Sequence, residues 1–403
     1  MDYLISISVF LSIIVFLVTI LLFLESKLIG DESFEVNINE DDDKTFVVNG
    51  SKTLLTALLE KEIMMPSACG GGGSCGMCKA VVEEGGGSVL PTEFAHLSRK
   101  EKNSNVRLSC QMKIKDDIKI KIPESFFDIK NYDATVISNN NVATFIKELV
   151  FKIDPPEKMV FKSGHYIQIN VPNYKLKFSD FNIEEMYRDE LVSCGFFDLK
   201  ASFPKAGFRA YSLANAGYED EILMLTVRIA TPPSKGIQPG FGSSYIFNLK
   251  PGDKISVSGP YGDFFVKDTE REICFVGGGA GMAPMRSHIL DQLNAVGTKR
   301  QVSFWYGARS RKEMFYDDEF KALAEKYDNF SYQVALSEPL PDDNWDGLTG
   351  FIHQALNESY LKKHDDPSEI EYYLCGPGMM IDAIIDMLDS MGVEEEMIAY
   401  DKF

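Results

Sequence analysis

The chain contains 403 residues, of which 45% are hydrophobic, and carries a formal net charge of −19 at pH 7. Its length predicts several domains, and its hydrophobic fraction is ordinary for proteins with packed cores. The acidic balance excludes a nucleic-acid-binding protein, because phosphate backbones require a basic surface.

The first feature along the chain is an apolar segment, Leu4 to Leu24, that contains no charge, Pro or Gly. A helix of this length would cross the roughly 30 Å hydrocarbon core of a bilayer. A signal peptide is the alternative, but residues 1–3 lack a positive charge and Glu25-Ser26-Lys27 is not a small-residue cleavage site. We therefore predict a transmembrane anchor at residues 1–26.

Glycines surround three cysteines of the next segment, which has the spacing C-x5-C-x2-C, and a fourth cysteine follows further on. Three thiolates from one loop and one distant thiolate are typical of plant-type [2Fe–2S] sites, although the first gap there is one residue shorter. Glycine lets the backbone wrap closely and point N–H groups at a negatively charged cluster. A zinc site is the alternative, but zinc sites usually pair their cysteines in two close couples. The predicted cluster ligands are Cys69, Cys75, Cys78 and Cys110.

The chain has seven cysteines, an odd number, and three of them lie outside the cluster motif. These three are expected to be reduced thiols, which predicts a cytoplasmic location for most of the chain. These remaining cysteines are Cys194, Cys274 and Cys375.

Short strands and one helix around the cysteine loop predict a small domain at 33–125 that resembles the β-grasp ferredoxin domain. We place a turn at Asp41–Asp43 and a helix from Thr53 to Lys61. Predicted strands are Glu35–Asn39, Thr45–Val48, Lys79–Glu83 and Ile118–Ile122.

From about residue 130 to residue 268, alternating strands with frequent turns predict an antiparallel β-barrel. The polar and aromatic stretch 173–208 interrupts it. Loops this long are often functional, so the stretch is either a self-packed surface insertion or a partner-docking surface. Predicted barrel strands are Ala134–Ile137, Ile146–Ile153, Tyr166–Val171, Met224–Ile229 and Lys254–Ser258.

Strands and helices alternate over residues 270–403, which predicts a doubly wound parallel α/β domain. Its predicted strands are Ile273–Val276, Val302–Tyr306, Phe330–Leu336 and Glu371–Leu374. Its predicted helices are Ala283–Val296, Tyr316–Tyr327, Ile352–Lys362 and Met380–Met391.

The segment Arg209-Ala210-Tyr211-Ser212 resembles the R-x-Y-S signature of the ferredoxin–NADP reductase superfamily. The resemblance implies FAD, with Arg209 on a phosphate, Tyr211 stacked on the flavin and Ser212 near its N5 region. A charge-assisted bond from Arg suits a phosphate, and a helix N-terminus suits a pyrophosphate. Further FAD-binding candidates are Thr226, Arg228, Gly242, Ser243 and Ser244.

Two further segments resemble the nicotinamide-binding part of the same superfamily. A glycine turn between a strand and a helix offers bare backbone N–H groups to a pyrophosphate, and Cys375-Gly376-Pro377-Gly378-Met379 resembles the family's C-G-P-x-x-M loop. Cys375 is read as a residue near the nicotinamide or as a small buried residue. The turn contributes Gly277, Gly278, Gly279, Gly281 and Pro284, and the loop contributes Gly376, Pro377 and Met379.

The final residues resemble a family ending in which an aromatic side chain covers the flavin. This implies that Phe403 moves aside for nicotinamide and that Asp401 takes the place of an acidic residue near the active site; a terminus without function is the alternative. The predicted catalytic residues are Ser212, Cys375, Asp401 and Phe403. The loop 307–312 contains Arg309, which suits the 2′-phosphate of NADPH. NADH is nevertheless favoured by the overall resemblance.

The sequence predicts an anchor followed by a ferredoxin module, an FAD module and a nicotinamide module. This order resembles that of the F subunits of the sodium-translocating NADH:quinone oxidoreductases of bacterial membranes. The resemblance implies electron flow from NADH to FAD to [2Fe–2S], onward to other subunits of a membrane respiratory complex and finally to ubiquinone. It places the chain at the bacterial inner membrane as a single-pass protein. An NADH-dependent reductase component of a multicomponent oxygenase, and a non-catalytic membrane-anchored metal-binding module, are the alternatives.

Overall fold

The computed structural model of the chain describes residues 7, 10–20, 33–234 and 236–402. Residues 10–20 are helical, and in these described ranges no helix is both long and apolar enough to cross a membrane. Both ends of the predicted span Leu4–Leu24, and Phe403, lie outside the described residues. The chain divides into two compact units, Met1–Ile129 and Lys130–Phe403.

The first unit is built on a five-stranded mixed sheet of order β2-β1-β5-β3-β4, in which only β1 and β5 run parallel. Its strands are β1 (Ser33–Ile38), β2 (Asp41–Asn49), β3 (Lys79–Glu84), β4 (Val106–Leu108) and β5 (Ile118–Lys121). Its helices are α1 (Leu54–Glu60) and α2 (Arg99–Asn103).

Helix α1 fastens the segment that contains Cys110 to the core of this unit. Thr53 caps the helix by accepting a bond from the N–H of Thr56. The N–H groups of Leu54 and Leu55 donate to Met112 and Ser109, on either side of Cys110. The helix and the fourth cysteine are therefore positioned together.

The turn predicted at Asp41–Asp43 is wrong. The chain reverses one step earlier, at Asn39 and Glu40, which both adopt positive φ angles of 59° and 57°. Asp41 already pairs with Ile38 in the antiparallel ladder. Asn tolerates this backbone conformation better than most residues, and its side chain is held by the carbonyl of Ile122.

The second unit begins with a six-stranded antiparallel sheet of order β11-β8-β13-β6-β7-β12. The outer strands β11 and β12 lie against each other, so the sheet curls into a barrel. Its strands are β6 (Lys130–Ala143), β7 (Ile146–Ile153), β8 (Tyr166–Val171), β11 (Gly207–Ser212), β12 (Leu223–Arg228) and β13 (Lys254–Tyr261). Helix α4 (Phe241–Asn248) precedes β13.

The stretch 173–208 folds as a self-packed insertion between β8 and β11, which are themselves antiparallel partners. It contains β9 (Tyr174–Lys177), β10 (Lys200–Phe203) and α3 (Glu185–Ser193). An aromatic core unites these elements with the barrel. Its buried phenylalanines are Phe178, Phe181 and Phe196 of the insertion and Phe247 of α4.

The remainder is a six-stranded parallel sheet of order β17-β16-β15-β14-β18-β19. The strands are β14 (Ile273–Gly278), β15 (Val302–Ala308), β16 (Phe330–Leu336), β17 (Leu348–Thr349), β18 (Glu371–Gly376) and β19 (Ile398–Lys402). The helices are α5 (Met282–Leu290), α6 (Asp317–Lys326), α7 (Ile352–Ser359) and α8 (Gly378–Ser390).

Two details of this sheet differ from the sequence-based prediction. The helix expected over Ala283–Val296 is α-helical only to Leu290 and continues as a π-helical turn, Asp291–Val296. The chain also ends in an unpredicted edge strand, β19, which pairs with β18.

Lys147 links the barrel to the insertion. Its side chain is fully buried, and its Nζ donates to the carbonyls of Asn139 and Asn182 at 3.0 and 2.5 Å. Burial lowers the pKa of this amine to about 8, although Glu184 partly opposes the effect. The native state therefore disfavours the charged form of this lysine.

We expect the stability that Lys147 confers to rise between pH 8 and pH 10.5. In this window the unfolded chain binds the proton and the folded chain does not, so stability increases with pH. Relative to Lys147→Met, the parent should gain up to about 3 kcal/mol, since each pKa unit corresponds to about 1.4 kcal/mol. Thermal unfolding of both proteins across this range measures the gain, and a constant difference in melting temperature would contradict it.

Candidate functional site

The four predicted cluster ligands form two pairs at one end of the first unit. The Sγ atoms of Cys69 and Cys75 are 3.4 Å apart, and Cys78 is hydrogen-bonded to Cys110. A [2Fe–2S] cluster needs two thiolates on each of two irons, which two pairs supply. Among the described residues, no group of three or more His, Cys, Asp or Glu side chains surrounds a single ion position.

The backbone around these thiols fits a buried anionic group. Gly70, Gly71, Gly73 and Gly76 all adopt positive φ angles, which side chains rarely tolerate. A Cβ at Gly73 would lie 2.4 Å from Nε2 of Gln111, whose amide also donates to the Sγ of Cys110 at 3.5 Å. The loop therefore needs glycine to approach the cysteines so closely.

One thiol of each pair has a lowered pKa. Burial raises the pKa of Cys69, but hydrogen bonds from Ser74 and Cys75 outweigh it and bring the pKa to about 6. The hydrogen bond from Cys78 is the main cause that lowers the pKa of Cys110 to about 6. Burial is the main cause that raises the pKa of Cys75, and the hydrogen bond to Cys110 is the main cause that raises the pKa of Cys78. Since thiolates are the metal-binding form of cysteine, each pair offers one thiolate for ligation.

In the second unit, the predicted FAD residues meet where α4 begins against β11. A Cβ at Gly242 would lie 2.4 Å from Oη of Tyr211 and 2.8 Å from Cγ of Arg209. The guanidinium of Arg209 lies 4.9 Å from the ring of Phe241, and no carboxylate pairs with it among the described residues. A free cation beside a helix N-terminus fits a phosphate group.

The hydroxyls of two predicted FAD-binding residues, Ser243 and Thr226, form hydrogen bonds with the backbone around the site. The Oγ of Ser243 accepts a bond from the N–H of Ala230, and Thr226 donates to the carbonyl of Ala280 at 3.0 Å. Thr226 thereby fastens the barrel to the glycine turn. Ser244 is fully buried within α4.

The glycine turn and the Cys375 loop are packed backbone to backbone. A Cβ at Gly281 would lie 2.1 Å from the carbonyl oxygen of Cys375. Gly277 and Cys375 are register partners on β14 and β18, and Pro284 is buried within α5. Burial raises the pKa of the Cys375 thiol well above its usual range, so this cysteine stays protonated.

A cavity of about 500 Å³ opens at the carboxyl ends of β14, β15, β16 and β18. Ligands of open parallel sheets bind at this edge. Of the predicted site residues, the cavity is lined by Arg228, Gly278, Gly279, Pro377 and Met379. It is also lined by residues that no sequence motif marked, among them Phe145, Glu313, Ser337, Phe351 and His353.

The unpredicted strand β19 brings Asp401 to the flavin segment. Its Oδ2 accepts a bond from the hydroxyl of Ser212 at 2.9 Å, and Asp401 is the register partner of Cys375. Burial raises the pKa of Asp401, although the bond from Ser212 opposes this. Ser212, Cys375 and Asp401, predicted from three distant segments, are therefore neighbours.

Three family models match successive parts of the chain. They describe a 2Fe-2S iron-sulfur cluster binding domain at residues 36–115, an oxidoreductase FAD-binding domain at 180–266 and an oxidoreductase NAD-binding domain at 275–386. The F subunit of the Na(+)-translocating NADH-quinone reductase of Idiomarina loihiensis is 50% identical over 99% of this chain and 98% of its own length. The protein of the same name from Pseudoalteromonas atlantica is 49% identical over 100% and 99%.

The chain belongs to the family of Na⁺-translocating NADH-quinone reductase F subunits. Its fold is shared by an Amycolatopsis cytochrome P450 reductase, at 24% identity and a TM-score of 0.64 over 92% of this chain and 98% of that one. A ferredoxin reductase in carbazole 1,9a-dioxygenase matches over the same shares at 24% identity and a TM-score of 0.60. These F subunits thus share their architecture with reductases of other electron-transfer systems.

Proposed function

We propose that this chain is the electron-input subunit of a sodium-translocating NADH:quinone reductase complex. It would oxidise NADH and pass electrons to partner subunits of the complex, and finally to ubiquinone. The main support for this proposal is the 50% identity to an F subunit over nearly the full length of both chains. All three cofactor-binding domains lie within the aligned length. The barrel would hold FAD, which would supply hydride acceptance and single-electron donation, and Cys69, Cys75, Cys78 and Cys110 would hold a [2Fe–2S] cluster able to take single electrons.

The domains would be a membrane anchor at 1–26, a ferredoxin domain at 33–125, an FAD-binding barrel at 130–268 and an NAD-binding domain at 270–403. The barrel residues would hold FAD: Arg209 a phosphate, Tyr211 the flavin and the α4 N-terminus at Gly242 the pyrophosphate. NADH would enter the 500 Å³ cavity with its pyrophosphate against Gly278 and Gly279. Phe403 would cover the flavin until nicotinamide displaces it.

Ser212, Asp401 and Cys375 would form the reacting end of the nicotinamide site. The hydroxyl of Ser212 donates to Asp401, so the two side chains fix each other's orientation. Cys375 is fully buried beside Asp401 in the sheet and keeps its proton, which gives it a positioning role rather than a nucleophilic one.

Loss of one cluster ligand should abolish reduction of the cluster and leave reduction of the flavin by NADH intact. In Cys78→Ala, NADH should still bleach the flavin at the parental rate, whereas the reduced [2Fe–2S] EPR signal should vanish, since a buried thiolate ligand is missing. Anaerobic stopped-flow absorbance and EPR of the full chain measure both. Cys194→Ala, which removes an exposed cysteine elsewhere, is the matched control. An intact EPR signal in Cys78→Ala, or a flavin that NADH leaves oxidised in the control, would refute the route.

Removal of the Ser212 hydroxyl should slow hydride transfer without loss of flavin. We expect Ser212→Ala and Asp401→Ala each to reduce the rate of flavin bleaching by NADH roughly tenfold, as the hydrogen bond between these two side chains is lost. The double variant should be no slower than the slower single variant, because the pair acts as a unit. The kinetic isotope effect with 4-deuterated NADH should rise in both. Additive losses, or an unchanged isotope effect, would argue against a shared role.

Membrane attachment should depend on the apolar segment Leu4–Leu24. The full chain should stay with membranes washed in high salt and carbonate, while a chain lacking residues 1–26 should be released, because about 20 apolar residues anchor a chain stably. Fractionation with immunodetection measures this, and bleaching of the flavin by NADH in the shortened chain is the folding control. Retention of the shortened chain on washed membranes would exclude the anchor.

A further inference from the structure

The segment that follows β15 carries three basic residues: Arg309, Arg311 and Lys312. In dinucleotide-binding sheets, an acid near this position binds the free ribose 2′-hydroxyl of NAD, and an Arg accommodates the 2′-phosphate of NADP. Arg309 itself lines the nicotinamide cavity. On its own, the basic segment would favour NADPH.

The structure shows that Arg309 is already paired within the protein. Its Nη2 lies 2.9 Å from Oε1 of Glu190 and 3.5 Å from Oε1 of Glu313. The buried hydroxyl of Thr144 lies within hydrogen-bond distance of both carboxylates, at 3.2 Å from Oε2 of Glu190, and donates its single proton to one of them at a time. Two carboxylates thus face one guanidinium, which leaves this corner of the cavity with a net negative charge.

The other two basic residues are also engaged. The backbone N–H and Nη1 of Arg311 donate to Asp343. Nζ of Lys312 lies 5.4 Å from the ring of Tyr187. Since Tyr187 and Glu190 both belong to α3, this one helix of the insertion holds two of the three basic side chains.

We propose that Glu190 is a specificity-determining residue that selects NADH over NADPH by neutralising Arg309. A 2′-phosphate on Arg309 would share the guanidinium with Glu190 and would face the carboxylates of Glu190 and Glu313. The 2′-hydroxyl of NADH carries no charge and meets neither obstacle. The inference rests on the proposed function, and it gives the insertion 173–208 a role in nucleotide recognition.

The test uses the full chain in detergent and the substitution Glu190→Gln, which keeps the side-chain shape. Calorimetry with adenosine 2′,5′-bisphosphate and with adenosine 5′-monophosphate measures binding independently of turnover. We expect Glu190→Gln to bind the bisphosphate roughly tenfold more tightly and the monophosphate unchanged, because one of the two carboxylates that face Arg309 loses its charge. The ratio of kcat/KM for NADPH to that for NADH should rise by the same factor.

The matched control is Glu185→Gln, which removes the same charge from α3 at an exposed position 3.9 Å from Arg188. Arg309→Gln added to Glu190→Gln should cancel the gain. An equal gain in Glu185→Gln, no gain in Glu190→Gln, or an equal loss with both nucleotides would overturn the role of Glu190. A parent chain whose flavin NADH does not bleach would instead refute the proposed function.

Discussion

The close approach of two backbone turns, at Gly281 and at Cys375, is the constraint on which the second unit depends. There is no room for a side chain at Gly281, since a Cβ would lie 2.1 Å from the carbonyl oxygen of Cys375. The same turn accepts the hydroxyl of Thr226 from the barrel. These two contacts therefore fix the parallel sheet, the barrel and the edge of the nicotinamide cavity relative to one another, and the backbone N–H groups remain bare for a phosphate.

Both cofactor regions must accommodate a negatively charged group, and each does so in a different way. The cysteine loop does so with positive-φ glycines and N–H donors around thiols, and it lowers the pKa of Cys69 and Cys110. The barrel uses a guanidinium that, among the described residues, has no carboxylate partner, and a helix that begins at a glycine. In both places glycine is required by close contact rather than by the turn alone.

Much of this could be predicted from the sequence, because the motifs are local. The three-cysteine loop, the R-x-Y-S segment and the glycine turn each lie within a dozen residues, and strong alternation marked the central strands. What could not be predicted depends on long-range pairing. The strand β19 has an ordinary composition and forms only because β18 offers a free edge. The pair of Glu190 with Arg309 joins residues 119 positions apart, and no periodicity connects them. The turn at Asn39 and Glu40 was missed because the acidic run beside it resembles a turn.

The register of the barrel also bears on how the insertion arose. Val171 and Gly207 are direct partners of β8 and β11, and the insertion enters and leaves through a second antiparallel pair, Tyr174 with Phe203. Its two ends are therefore neighbours in space. Evolution could lengthen or excise this segment as the tip of a hairpin, without rethreading any strand of the barrel. A tight turn joining β8 directly to β11 would leave every strand pairing of the barrel in place, so the length of this segment can vary separately from the scaffold that carries it.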